Sequence, residues 1–540
     1  MDINKIKFTR YEVNILLLVC LAQFITSADN VATVLLIKDI MFFFKVDITL
    51  GQVVTSSYAI TSASLMLVSG LLGYFFSWKR IFQVGLLFCI VGEFFALVLT
   101  DFSLFLMLSR VIFGIGGALI LPSCLALLST QIQPKNRTMA FSIWGTSIAL
   151  VVAIFPVILT LLNTILGWRT GFGFLGCLAF LVICLSSTIA QSKPVKCIKQ
   201  FDIIGTLIIV SIIAFLLIAV SFTPYLGFLA PKRTIEFLGF NSESLGISVP
   251  MLLTVTSLLL AIFYRYWFQH TEKENKYYSI LPKVFINKEA LAGLYILSFL
   301  YIIYGGVLFI IVSYISLSHY STMQLSIVIA AFAGAMFISS VIVASKARLV
   351  SIKTLNTFAL LLLSLSTFCL AYSIGSSHAI MTMLIINTSI IGVACGILSS
   401  KSNIAVNIAV GPKYIEQSSG AQVCAKNIGY VFGVAILGGL LSHIANTQLT
   451  SLLLQSNSFA IIDDLSGKLN FISNSQLSAL ISQFKLSVPN NILVLNDAIR
   501  IKTLQETLYV ASFLSLLSIA IGRSVKNEEC HAKTENAVMQ

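Results

Sequence analysis

Charge is what this chain has least of. Of its 540 residues only 10% are Asp, Glu, Lys or Arg, against about a quarter in an ordinary soluble domain. The five histidines (His270, His319, His378, His443 and His531) are scattered. The ten cysteines form no C-x-x-C pair, and no glycine-rich phosphate loop ends in a lysine. These absences leave no basis for a clustered metal site, a disulfide framework or a nucleotide-using enzyme, so no cofactor or metal is expected. Cys20, Cys89, Cys124, Cys177, Cys184, Cys369, Cys395 and Cys424 read instead as small hydrophobes in apolar segments.

What the chain has is length in apolar runs. It is 57% hydrophobic, with a mean hydropathy of +0.96. Stretches of about 20 residues, each able to cross a hydrocarbon core about 30 Å thick, recur from Tyr11 to Gly522. About fourteen are expected, the fifth near 140–163 and the last near 503–522. The fold class is therefore an all-α polytopic membrane protein. Tyr11 to Leu36 is too long for a cleaved signal and reads as the first span.

The net charge of +13 raises the question of nucleic acid, but the basic residues are placed as topology signals. About 23 basic residues, among them Lys5, Lys7, Arg10, Lys79, Arg80, Lys135, Arg137, Lys193, Lys196 and Lys199, fall on the side that holds the amino terminus, against about nine opposite. The distribution predicts both termini in the cytoplasm, with a lipid bilayer rather than a nucleic acid as the surrounding partner.

Two polar breaks divide the chain, Gln191 to Gln200 and Phe268 to Lys288. They suggest a six-helix bundle over 1–190, a linker with two added helices over 191–288, and a second six-helix bundle over 289–523 with a tail over 524–540. This is the layout of a carrier built from two similar halves. A long outside loop is expected over 444–502, within which Leu477 to Phe484 reads as an amphipathic surface helix or a plain connector.

Four charges stand inside apolar stretches, where a charge costs several kcal/mol and needs a partner or a wet cavity. Arg110 precedes the glycines Gly114, Gly116 and Gly117, which allow a neighbouring helix to come close. Asp29 and Asn30 lie in the first span; the carboxylate suits a proton-loading group, or a structural hydrogen bond between Ser27 and Asn30. Glu93, in the third span, pairs with Arg110, faces the cavity or reaches headgroups. Lys426 holds an acidic group or snorkels to the membrane edge. Tyr58, Tyr301, Tyr304, Tyr314, Phe332 and Tyr430 are candidates for an aromatic substrate cavity, and Asn403 and Asn407 share a helix face that lines a pocket or bonds a neighbouring helix.

Taken in order, several short motifs carry a resemblance. Arg110-Val-Ile-Phe113-Gly114-Ile-Gly116 stands where an R-x-x-Q-G-x-G pattern would. Pro134 to Gly145, Gly167-Trp168-Arg169, Phe201-Asp202-Ile-Ile-Gly205, and the set Gly420, Lys426, Gly429, Gly433 follow at matching places. The chain resembles the fourteen-spanner drug:proton antiporters of the major facilitator superfamily, EmrB/QacA-like, from first span to last. The resemblance implies a major facilitator fold and secondary active export of amphipathic small molecules in exchange for protons. Asp29 would take up protons, and Arg110 would hold the charge network. It also implies a bacterial inner membrane and, in two-membrane bacteria, a periplasmic adaptor. Departures are specific. The loop pattern G-x-L-A-D-R-x-G-R-[KR] keeps Gly70, Leu72, Lys79 and Arg80 but has Tyr74 at the aspartate, and Phe155-Pro156-Val157-Ile158 keeps only the proline of G-P-x-x-G-G. They favour, as an alternative, a permease for one metabolite, siderophore or organic ion. A membrane scaffold or sensor that no longer transports is a third reading.

Overall fold

The computed structural model describes residues 8–190, 202–229, 246–274, 287–318, 320–345, 352–374, 380–410, 415–455 and 492–522, with isolated positions between them. Fourteen long helices account for most of these: α1 (Arg10–Leu35), α2 (Ile48–Phe76), α3 (Trp78–Val98), α4 (Phe102–Gln131), α5 (Pro134–Leu166), α6 (Arg169–Leu185), α7 (Ile203–Leu226), α8 (Val249–Glu274), α9 (Lys288–Leu317), α10 (Thr322–Ser345), α11 (Ile352–Ile374), α12 (Ile380–Val410), α13 (Ile415–Gln455) and α14 (Ile492–Gly522). Twelve are long and apolar enough to cross a membrane; α5 and α14 are the other two. The last helix starts well before the expected 503, and α13 runs to Gln455, so the connection expected over 444–502 narrows to about 456–491. Most of it, including half of Leu477 to Phe484, lies outside the described residues, as do 191–201 and 523–540.

Polar side chains start the helices where the apolar runs begin. Thr9 and Glu12 form a reciprocal cap on α1, and Glu12 also accepts from Gln133 N (2.9 Å) and Asn136 Nδ2 (3.1 Å), tying α1 to the α4–α5 turn. Asp47 caps α2, Asp101 caps α4 and Asn287 caps α9. Asp202 caps α7 through Gly205 N (2.8 Å) and accepts from Trp267 Nε1 of α8 (3.0 Å), so one carboxylate joins the central helix pair. Asp202→Ala should lower stability by about 1–2 kcal/mol in thermal unfolding, whereas Asp202→Asn should retain most of it.

The packing repeats itself. In the first set α1 lies on α5, α2 on α4, and α3 on both α4 and α6; in the second, α9 lies on α13, α10 on α12, and α11 on both α12 and α14. The sets meet chiefly through two pairs, α2 with α13 and α5 with α10. The added pair flanks one seam, α7 against α2 and α13, with α8 outside it. Leu252, Val255, Leu258, Leu259, Ile262 and Phe263 of α8 are exposed, an apolar face suited to lipid.

Glycine decides how close the helices come. A Cβ on Gly116 would stand 2.7 Å from the Gly85 carbonyl oxygen, and one on Gly92 would stand 2.8 Å from Phe113 N, so α3 and α4 touch backbone to backbone. In the second set Gly306 faces the Gly433 carbonyl, while Gly429 and Gly433 abut the carbonyls of Ser298 and Ile302.

Candidate functional site

Asp29 on α1, Glu93 on α3 and Arg110 on α4 converge inside the first bundle. All three are essentially unexposed, at 0–1%. Call the face with the described start of α1 and end of α14 the near face, and its opposite the far face. The three residues lie one to two turns in from the far ends of their helices, about 10 Å deep. The stretch Phe105–Val111 of α4 is a π-helix, a wider turn that often marks functional positions, and Arg110 is in its last turn.

Arg110 Nη1 donates to Asp29 Oδ1 at 2.7 Å and to Thr33 Oγ1, one turn further along α1, at 3.0 Å. Nε and Nη2 donate to Ser109 Oγ at 3.1 and 2.9 Å. Glu93 Oε2 is 3.7 Å from Nη2, an ion-pair distance too long for a hydrogen bond. Asp29 Oδ2 and both Glu93 carboxyl oxygens accept no hydrogen bond from a nitrogen or hydroxyl donor, and the two carboxyls lie within hydrogen-bonding reach of each other, so a proton on one can be donated to the other. The rings of Phe172, Phe105 and Phe113 stand 4.7, 5.5 and 5.8 Å from the guanidinium carbon, so apolar walls strengthen every electrostatic term here. The structure brings two carboxylates to Arg110: Asp29 closely and Glu93, a partner expected from sequence, loosely.

An aromatic cap closes this site toward the far face. Phe44 stands 4.9 Å from Phe105, and Trp168 is 6.0 Å from Phe172 and 5.6 Å from Phe43. Arg169 locks the cap by donating to the Leu99 carbonyl and lying 4.5 Å from the Phe43 ring.

Between the bundles the described polar bridges gather toward the far face. Gln52 Nε2 reaches Ser442 Oγ at 3.4 Å; Thr160 Oγ1 and Ser326 Oγ are 2.6 Å apart, and Ser326 also donates to the Pro156 carbonyl at 3.3 Å. Pro156 thus marks the α5–α10 contact. Near mid-depth Asn427 Nδ2 donates to Ser62 Oγ at 3.1 Å.

The other expected residues divide. Tyr58 packs its hydroxyl end on Gly117 and its ring 5.9 Å from Phe113, a packing role within the first bundle. Gly114 abuts Thr61, whereas a Cβ on Gly70 would meet nothing within 4 Å. Lys79 Nζ donates to the carbonyls of Ser187 (3.0 Å) and Ile189 (2.6 Å), capping the end of α6 within its own bundle. Arg80 is exposed, and Asn30 is half-buried. Asn407 Oδ1 accepts from Ser418 Oγ (3.0 Å) and Gln422 Nε2 (2.8 Å), a bond between α12 and α13, while Asn403 Oδ1 is buried without a partner. Lys426 turns its ammonium to the Tyr301 ring at 5.8 Å instead of reaching for the helix end, and Tyr301, Tyr304, Phe332 and Tyr430 cluster beside it.

Sequence reasoning missed Thr33, Ser109 and Phe172, whose polar or apolar character is ordinary until the helices meet. It also missed Ser77, which takes a φ of +79° in the α2–α3 loop at the place where the loop pattern has a glycine.

Residues 19–281 match the sequence model of the Major Facilitator Superfamily. The chain is 28% identical over 216 residues to the tetracenomycin C resistance and export protein of Streptomyces glaucescens, covering 37% of this chain and 39% of that one. It is 30% identical over 182 residues to the lincomycin resistance protein LmrB of Bacillus subtilis (34% and 37% covered), and 24% identical over 213 residues to the riboflavin transporter RibZ of Clostridioides difficile (38% and 45%). The matches span about two fifths of the relatives' length. Over nearly the whole chain the fold is similar to a bacterial homologue of the human lysosomal transporter Spinster (TM-score 0.59, 12% identity, 96% and 98% covered) and to the peptide transporter POT (0.57, 14%, 94% and 95%). These findings support a place in the major facilitator superfamily: the chain is a multi-pass membrane protein with the major facilitator fold.

Proposed function

We propose that the protein is a proton-coupled secondary transporter that exports amphipathic small molecules by alternating access, in the manner of the fourteen-spanner drug:proton antiporters. One observation carries this reading: two fully buried carboxyls, Asp29 and Glu93, share one guanidinium, Arg110. With both carboxyls ionised the cluster holds an excess negative charge in an apolar setting, which is costly. One proton balances it. Glu93 is the carboxyl for that proton, because neither of its oxygens accepts a hydrogen bond, whereas Asp29 is fixed to Arg110 at 2.7 Å. When the proton leaves, Glu93 becomes a second anion competing for the same guanidinium, which biases the positions of α1, α3 and α4 relative to one another. That is the kind of two-state element a transport cycle needs.

The roles by which the relatives are named, resistance, export and transport, agree with export of small organic molecules. The same reading places the protein in a bacterial inner membrane with both termini cytoplasmic, which makes the far face the outer one and the bridges between Gln52 and Ser442 and between Thr160 and Ser326 an outer closure. A periplasmic adaptor is a further partner under this reading. The specific permease is a second reading, favoured by the α5 contact, where a hydroxyl pair and Pro156 stand in place of glycine packing.

The test is substrate-dependent collapse of an imposed pH gradient in proteoliposomes, comparing wild type with Asp29→Asn and Glu93→Gln. Collapse by several unrelated amphipathic compounds, reduced about 100-fold or more in either variant as for loss of a proton-transfer group, is the expected result. A response to a single metabolite selects the permease, and gradients untouched by a broad panel would sink the transport reading.

A further inference from the structure

The first bundle locks its acids away, and the second leaves a base uncompensated. Lys426 lies on α13 next to Asn427, which bonds Ser62 of the other bundle, so it stands beside the seam between the halves. Among the described residues its ammonium meets no carboxylate; its one recorded neighbour of note is the Tyr301 ring at 5.8 Å, near the outer limit of a useful cation–π contact. An ammonium has three donors to satisfy and is expensive at bilayer depth without a counter-charge. The counter-charge therefore has to be brought in.

The surroundings say what kind of molecule brings it. Tyr301 and Tyr304 of α9 are 5.2 Å apart, and Tyr304 is 5.6 Å from Phe332 of α10 and 6.3 Å from Tyr430 of α13. All these pairs are tilted, at 38–54°, so no ring is committed to a parallel stack with its neighbour. The hydroxyls of Tyr304 and Tyr430 make no hydrogen bond among the described residues. Ring faces, free hydroxyls and one cation are gathered on α9, α10 and α13, of which α10 and α13 form the main contact with the first bundle. A cationic guest finds no acid to meet it, because Asp29 and Glu93 are turned into their own bundle toward Arg110.

We propose that this inner face of the second bundle, Lys426 with Tyr301, Tyr304, Phe332 and Tyr430, is a binding site for a planar aromatic anion, its acidic group on Lys426 and its ring system among the tyrosines. The assignment rests on the transport reading above for its purpose and deepens it by naming the substrate class.

The experiment measures equilibrium binding of three fluorescent probes of one shape to the full-length protein in detergent: anthracene-9-carboxylate, the neutral anthracene-9-carboxamide and the cation 9-(aminomethyl)anthracene. The acid should bind about 10- to 100-fold more tightly than the amide, the range set by one charge-assisted bond. Lys426→Gln should erase that difference while leaving amide affinity within about twofold, which also shows that the variant is folded; Lys426→Arg should keep most of it. Tyr304→Leu should weaken acid and amide alike, by about fivefold or more. The site is overturned if the amine binds as well as the acid, if Lys426→Gln retains the acid preference, or if none of the three probes binds. Failure of the two readings is separable. Acid-selective binding with no flux in proteoliposomes leaves the site standing and removes transport, whereas proton-coupled flux with no acid preference does the reverse.

Discussion

Arg110→Met is expected to destabilise the protein by about 3–5 kcal/mol, the largest single effect in the molecule, because it strands Asp29 and Glu93 in a dry, aromatic-walled site. Either carboxyl alone matters less. Glu93→Gln leaves the neutral Asp29–Arg110 pair and its Thr33 bond intact, so its cost should stay below about 1 kcal/mol; Asp29→Asn removes the shorter contact and should cost more. The double variant Arg110→Met with Asp29→Asn should recover part of the loss, a coupling of about 1–3 kcal/mol, read from thermal unfolding of the four proteins of the cycle. Additive losses in both the Asp29 and the Glu93 cycles would mean that the three charges do not act as one cluster.

Gly433→Val should be nearly as damaging, for a reason unrelated to charge. The added side chain would run into the carbonyl of Ile302, and backbone cannot give way as a flexible side chain can, so the α9–α13 seam has to open. A loss of about 3 kcal/mol is expected, at the upper end for overpacking. Gly70→Ala is the contrast: its new methyl meets nothing within 4 Å, and replacing glycine inside α2 should raise stability by about 0.5–1 kcal/mol. Thermal unfolding of the two variants side by side checks both signs. The loop motif and the glycine seam look alike in sequence, and this pair separates them.

Much of the helical architecture was legible in the chain, because a span is a run of about 20 apolar residues and little else can hide in it. Helix ends were less so. α5 begins at Pro134 and α14 at Ile492, in stretches whose polar residues mask a helix that continues past the bilayer core. Within the candidate site, Arg110, Asp29 and Glu93 announced themselves by cost alone, since a charge in an apolar run has to be explained. What sequence could not supply was the pairing. Thr33 is one turn beyond Asp29, and Ser109 is beside Arg110, but a hydroxyl in a membrane helix is common and often bonds its own backbone, as Thr26 and Ser123 do here. The π-helical turn at Phe105–Val111 has no residue signature in the chain at all. Tyr58 shows what span position alone leaves open: the ring packs against Gly117, because the glycine leaves a socket for it.

The central claim is that the buried cluster of two carboxyls and one guanidinium carries a proton on Glu93. Infrared difference spectroscopy on the full-length protein in lipid at neutral pH reads it directly through the carbonyl stretch of a protonated carboxyl. The account predicts such a band in wild type, displaced on hydrogen–deuterium exchange, absent in Glu93→Gln and present in Asp29→Asn. A wild-type spectrum without that band, or one unchanged by Glu93→Gln, would contradict it.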